Sequence, residues 1–225
     1  MRLRELVTIK EKPSAYGQLG AIEIIVADNQ SSDATAEIAR ARGCLVATVE
    51  KRVIGAVRNG GAALAQGEIL ALIDADMQVH EGIFSAMDTA LATSRCIGGA
   101  SGVRMERMSL GLALTYAAML PMVWLTGMDT GVVFCRRADF LEIGGYDESR
   151  LVAEDVMFLV ALRRLGRIRK QKLFRLRQAK AIVSTRKFDE FGDWHYFGLL
   201  WQGFKQLRRK GDASFTDRYW YKPKR

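Results

Sequence analysis

Cysteine is scarce in this chain. Three residues, Cys44, Cys96 and Cys135, stand far apart and are odd in number. That excludes a disulfide framework and a closed zinc site, and it suits a reducing, cytoplasmic compartment. The start, Met1-Arg2-Leu3-Arg4-Glu5, leads into no apolar h-region, so no signal peptide is expected. No internal repeat or low-complexity linker interrupts the 225 residues, a length that suits one sizeable α/β domain with a small appendage. The charge-free stretch Leu110 to Leu125 contains Pro121 and is shorter than the ~20 residues of a typical spanning helix. It reads as a buried helix or as an interfacial membrane helix, and as a span only in third place. No nucleic-acid reader motif is present, so nucleic acid is not an expected partner.

Charge is unevenly spread. Residues 1–162 carry 15 basic and 20 acidic side chains, whereas residues 163–225 carry 19 basic and 5 acidic. A basic final third calls for an anionic partner, such as a membrane surface or a phosphorylated substrate, or is simply a solvated surface.

Alternation of elements sets the fold class. Ile22 to Ala27 reads as a β-branched strand, followed by the polar turn Asp28-Asn29-Gln30-Ser31-Ser32-Asp33. Ser32 or Asp33 can cap an Ala-rich helix running to about Arg42, ended by Gly43. Leu45 to Val49 is the next strand, and Arg58 to Ala65 a short helix ended by Gln66-Gly67. The run Ile69-Leu70-Ala71-Leu72-Ile73 has no polar alternation and reads as a fully buried strand. Further elements are a helix over 82–93, strands over 98–105 and 131–136, and a short helix over 139–143. A helix opening at Glu154-Asp155, a strand over 181–185 and an aromatic, basic helix over 194–210 complete the series. Strands alternating with helices predict a parallel-rich sheet that binds ligands at the carboxyl ends of its strands.

The buried strand exits into Asp74-Ala75-Asp76. Two carboxylates two residues apart can point to the same side and offer hard oxygen ligands to Mg²⁺ or Mn²⁺ holding a diphosphate. A solvated turn is the plainer reading of that triplet taken alone.

Several pieces then stand in order. They are Ile24 to Thr35 with Asp28, then Gly55-Ala56-Val57-Arg58-Asn59-Gly60-Gly61, then Ala65-Gln66-Gly67-Glu68 before the strand and Asp74-Ala75-Asp76. Later come Thr130-Gly131-Val132-Val133-Phe134-Cys135-Arg136-Arg137, Gly144-Gly145-Tyr146-Asp147-Glu148 and Ala153-Glu154-Asp155. Over about residues 20–190 this series closely resembles the family 2 glycosyltransferases of the GT-A fold, and particularly the small bacterial members. The resemblance implies a Rossmann-like, mixed α/β sheet flanked by helices. It also implies two regions: a GT-A domain over residues 1–190 and a basic, aromatic helical extension over 191–225.

The same resemblance assigns roles. Asp28 would receive the nucleotide base or ribose, and Arg58 would lie near the nucleotide. Asp76 would ligate the metal, Mn²⁺ or Mg²⁺, with Asp74 on the ribose or a metal-bound water. Asp155 would be the general base, with Glu154 orienting acceptor or base, although acids at a helix start also simply complement its dipole. Gly131 would let the backbone approach donor or acceptor. Arg186 and Lys187, in Ser184-Thr185-Arg186-Lys187-Phe188, would grip a diphosphate or an acceptor phosphate. His195 is a weaker candidate for a third metal ligand.

The expected activity is inverting sugar transfer from a UDP- or GDP-linked donor to an acceptor that is lipid-linked or close to a membrane. The enzyme would then sit in the cytoplasm, peripherally at the inner face of the membrane, and the apolar 110–125 face would serve a homodimer equally well. The match fails at its beginning. Family members open with an apolar strand ending in a Pro-x-x-Asn-Glu-like segment, and none is found here. Met1 to Val7 reads more like the helix that follows it, so either the true start lies upstream or that central strand is lost. Leu6-Val7-Thr8-Ile9 would substitute as a short strand, with barely the dozen residues that a parallel crossover needs. A second expectation follows from that gap: a catalytically impaired relative that binds a membrane or a partner through its basic end.

Overall fold

The computed structural model describes residues 4–9, 22–126, 129, 131–151, 153–185, 188–189 and 192–194. Eight strands form one sheet: β1 (Arg4–Ile9), β2 (Ile22–Asp28), β3 (Leu45–Thr48), β4 (Ile69–Asp74), β5 (Met77–Gln78), β6 (Cys96–Met105), β7 (Val133–Arg136) and β8 (Lys172–Val183). The helices are α1 (Thr35–Ala41), α2 (Ile54–Leu64), α3 (Ile83–Ala92), α4 (Leu110–Thr126), α5 (Arg137–Glu142) and α6 (Glu154–Ile168). The strand order is β3-β2-β1-β4-β7-β6-β8-β5. Strands β2, β3, β4, β6 and β8 run one way, and β1, β7 and β5 run against them. The carboxyl ends of the five co-directional strands therefore lie along one edge, at Asp28, Thr48, Asp74, Met105 and Val183.

The central strand behaves as its composition predicts. Leu70 and Leu72 point to one face, where they join Val57 of α2, Phe140 of α5, and Phe158, Leu159 and Leu162 of α6. Ile69, Ala71 and Ile73 point to the other, against Ile83 and Met87 of α3. Each of these buried Leu and Ile side chains contributes about 1.5–3 kcal/mol relative to exposure. Close approach of β6 to β8 requires Gly99: a Cβ there would stand 1.8 Å from the Phe174 carbonyl oxygen.

Beyond the short strand β5, which the sequence reading does not contain, three elements differ from that reading. The segment expected to resemble a helix is β1, a strand that fills the position between β2 and β4 and pairs antiparallel with both. It is the substitute the sequence offered, though antiparallel rather than a parallel crossover. Two strands with open ladder groups on facing sides leave little alternative, since unpaired backbone groups there are costly. Helix α2 starts four residues earlier than expected, because Ile54, Ala56 and Val57 bury an apolar edge ahead of Arg58. Strand β8 begins at Lys172, nine residues before the expected Ala181, through its parallel ladder with β6.

Helix α4 is neither wholly buried nor a span. Leu112 and Thr115 are buried on one edge, while Leu110 is 74% exposed and Leu114 45%. Among the described residues no helix is long and apolar enough to cross a membrane. The expected helix over 194–210, the 191–225 extension other than Gly192, Asp193 and Trp194, and the residues Arg186, Lys187 and His195 lie outside the described residues.

Candidate active site

Arg58 is the hub of the sheet edge. It projects from the middle of α2 and is buried to 9% exposure. Its Nη2 donates to Asp74 Oδ1 at the end of β4, at 2.9 Å. Its Nη1 donates to Asp155 Oδ1 and lies 3.6 Å from Glu154 Oε1, both at the start of α6. Its guanidinium carbon stands 5.2 Å from the centroid of the Tyr146 ring. Burial opposes the Arg58 charge, but Asp155, Tyr146, Asp74 and Glu154 outweigh it and hold the group well above its ordinary pKa. Three carboxylates from two distant segments thus converge on one cation.

Asp155 also accepts a hydrogen bond from the Tyr146 hydroxyl at 3.0 Å. Burial raises the Asp155 carboxyl above the usual carboxylate range, and the nearby Asp74 charge adds to this. The Arg58 guanidinium and the Tyr146 hydroxyl pull the other way. Glu154 and Asp155 occupy the first turn of α6, where acids favour the helix dipole. The residue before them, Ala153, is left-handed at φ 57° and makes no side-chain cap. A non-glycine residue held there stores local strain, of order 1 kcal/mol.

Tyr146 and Asn59 are the site residues that sequence reasoning missed. Asn59 Nδ2 donates to the Tyr146 carbonyl at 2.9 Å, and the Tyr146 N–H donates to Asn59 Oδ1 at 2.8 Å. Asn59 Nδ2 also reaches Glu148, which Lys51 Nζ meets at 2.9 Å, and these two bonds hold the Glu148 carboxyl below its usual range. Gly145 makes the turn possible: its φ is +70°, and a Cβ there would stand 2.6 Å from Asn59 Oδ1. The signal was present, since Asn59 follows Arg58 and Tyr146 follows the paired glycines. The bonds between them link residues 87 apart in sequence.

The other expected residues are spread along the same edge. Asp28 ends β2 and is buried, and its Oδ1 accepts the Ser31 N–H at 3.2 Å, a local turn contact. Arg4 of β1 pairs with both Ala27 and Asp74, so β2 and β4 end two strand spacings apart, about 10 Å. Asp76 is exposed in the two-residue turn between β4 and β5. Strand β5 pairs Met77 with Val183, which anchors that turn against the end of β8. Gly131 is buried at the entrance to β7, where a Cβ would stand 2.4 Å from Ser101 Oγ, so its requirement is internal packing against β6. Among the described residues no group of three or more His, Cys, Asp or Glu side chains is arranged to hold a metal. Asp74 and Asp76 suit a different mode, in which one or two carboxylates share the ion with substrate phosphates.

Cys96 and Cys135 are buried thiols. Burial pushes Cys96 up to about 11 and Cys135 further still, which keeps both unreactive.

Comparison with known proteins places this edge in context. Residues 4–100 match the family model for glycosyl transferase family 2, a span that holds Asp28, Arg58, Asp74 and Asp76 and stops short of Glu154 and Asp155. No curated protein matches the chain. The match supports glycosyltransferase activity in general, and family 2 enzymes commonly use divalent metals and act on nucleotide-sugar donors. Over residues 4–100 the chain is thus similar to glycosyl transferase family 2, and its mixed sheet flanked by helices is of the α/β class and consistent with the GT-A fold.

Proposed function

We propose that this protein transfers a sugar from a UDP- or GDP-linked donor to an acceptor hydroxyl, with inversion in a single displacement. The observation that carries the proposal is the Arg58 bridge. One guanidinium bonded to Asp74 and to Asp155 brings the donor end of β4 and the base-bearing end of α6 to one point. Asp155 acts as general base. The acceptor oxygen bonds to the anomeric carbon, the bond from that carbon to the phosphate oxygen breaks, and its electron pair leaves with the nucleoside diphosphate. The acceptor proton passes to Asp155. Its raised pKa makes it a stronger base than a solvated carboxylate. Glu154 orients acceptor or base, and Asp28 receives the base or ribose. Asp74 and Asp76 would hold Mn²⁺ or Mg²⁺, whose charge offsets that of the leaving diphosphate. Gly131, Arg186 and Lys187 complete the set carried over from the family.

A lipid-linked acceptor at a membrane surface fits the same edge. Met108, Leu110, Leu114 and Trp194 are exposed, and Met108 and Leu110 follow the carboxyl end of β6. The basic 191–225 region would meet anionic headgroups at the inner face of the membrane. A homodimer through the α4 face is the competing use of that surface. The antiparallel β1 favours a second reading, an impaired relative without donor binding. Nucleoside diphosphate release from UDP- and GDP-sugars decides the matter: Asp155→Asn and Asp76→Asn should each abolish it. Unchanged release in either variant overturns the assigned role.

A further inference from the structure

The hydrogen bonds to Asp155 are one-sided. The Arg58 guanidinium and the Tyr146 hydroxyl both donate to Oδ1, and Oδ2 has no hydrogen-bond partner among the described residues. A carboxylate held by two donors on one oxygen has a fixed rotation, and the other oxygen is the one left to take a proton. The two donors approach from separate elements, Arg58 from α2 and Tyr146 from the loop after α5, so one cannot be moved without straining the other.

Tyr146 is itself held at three points. Asn59 clamps its backbone on both the N–H and the carbonyl. Its ring lies flat on Phe158, with centroids 4.4 Å apart and an interplanar angle of 7°. Phe158 stands three residues after Asp155 on α6, on the same side of the helix. The phenol is thus referenced to the helix that carries Asp155. A phenylalanine would fill the stack equally well, so packing alone gives no reason for the hydroxyl.

We propose that Tyr146 is a positioning residue: its hydroxyl, with Arg58, pins Oδ1 of Asp155 and leaves Oδ2 presented to the acceptor hydroxyl. The inference rests on the reading of Asp155 as general base. The groups facing Asp155 are Arg58 from α2, Asp74 from β4 and Tyr146, with the adjacent Glu154 sharing the same Arg58 guanidinium. Of these, only Tyr146 can be stripped of its contact by removing a single oxygen.

Tyr146→Phe is the test, with nucleoside diphosphate release from the turned-over UDP- or GDP-sugar as the assay. The folded protein should retain its melting temperature to within a few degrees and its donor KM. Its kcat should fall about tenfold to a hundredfold, as loss of a reacting group's alignment does. The acid limb of the pH profile should move to higher pH, because a donor that stabilises the carboxylate is gone. A merely structural role would leave that limb in place. A crystal structure of Tyr146→Phe supplies a readout without turnover, in which the Asp155 carboxylate should leave its wild-type rotation. Unchanged kcat and acid limb, or an unmoved carboxylate, overturns the proposal. Full activity in Asp155→Asn overturns the base reading beneath it instead, so the two failures are told apart.

Discussion

Arg58→Ala removes the cation on which three carboxylates converge. Arg58 and Asp155 are largely buried, with side-chain exposures of 10% and 18%. Removing one partner from a buried charge network costs about 3–5 kcal/mol, because the remaining charges stay desolvated without a counter-ion. For a chain of this size each kcal/mol lowers the melting temperature by roughly 2–4 °C, so a loss of about 6–20 °C is expected. The loss must also depend on pH in one direction. Without the guanidinium, the folded-state pKa of Asp155, already raised by burial, rises further. An acid whose folded pKa lies above its unfolded value destabilises the fold above that folded pKa. The penalty fades as pH falls toward the unfolded value of about 3.9. Differential scanning calorimetry near pH 8 and near pH 5 should therefore show a larger deficit at the higher pH. Arg58→Lys should recover only part of it, since a single ammonium cannot replace a planar fork reaching both β4 and α6. A deficit under about 2 °C, or one that is flat with pH, would show that these carboxylates do not depend on Arg58.

Three further outcomes are expected. Asp76→Asn should leave the melting temperature of the free protein unchanged, because the residue is exposed, and should abolish any shift by UDP or GDP that requires Mn²⁺; retention of that shift removes Asp76 from the donor site. If the proposed membrane contact runs through α4, Leu110→Asp should weaken co-sedimentation with vesicles of phosphatidylcholine and phosphatidylglycerol about tenfold, the effect of withdrawing one leucine side chain from an apolar phase; unchanged sedimentation overturns that proposed contact. Gly99→Ala should destabilise the protein by at least about 3 kcal/mol in urea unfolding, since the new methyl meets backbone on β8 rather than a side chain that can turn aside; a wild-type midpoint would mean β6 and β8 are less closely apposed.

What the sequence made legible follows from what is local. The five-residue apolar run ending at Asp74 announces a strand buried on both faces, and it packs against α6 on one side and α3 on the other. Glu154 and Asp155 announce a helix start through the dipole alone. Strand β8 was legible only at its apolar end. Lys172, Arg177 and Lys180 are exposed along it, so no apolar alternation marks its first part, and its ladder with β6 selects an extended conformation. Helix α2 lacks a capping side chain at Val53, so its true start carries no polar signal. The Tyr146–Asp155 bond depends on how α6 docks against the loop after α5. Sequence order supplied the residues of the site, and the packing of α2, that loop and α6 supplied its geometry.

The direction of β1 has the widest consequence for the site. An antiparallel β1 places Arg4 beside Asp74 and Ala27, at the edge where the carboxylates gather, and Ile9 beside Ile22 at the far end. A parallel strand in the same slot would reverse this and put Arg4 opposite Ile22. Paired cysteines distinguish the two. Directly opposed residues on neighbouring strands have Cα atoms about 4.5–5.5 Å apart, within the reach of a disulfide. In the observed register Ile9→Cys with Ile22→Cys should therefore cross-link on mild oxidation. Arg4→Cys with Ile22→Cys should not, because five strand residues separate them, about 17 Å. Cys44→Ser removes the one native thiol that is not buried, and Cys96 and Cys135 are too deeply placed to compete. Cross-linking of the second pair in place of the first would turn β1 round and restore the family's parallel strand beside the nucleotide. On the proposed donor site, the observed pattern would leave recognition of the base to Asp28 and the turn that follows it, and Asp28→Ala should then weaken donor binding, read as loss of the UDP or GDP thermal shift.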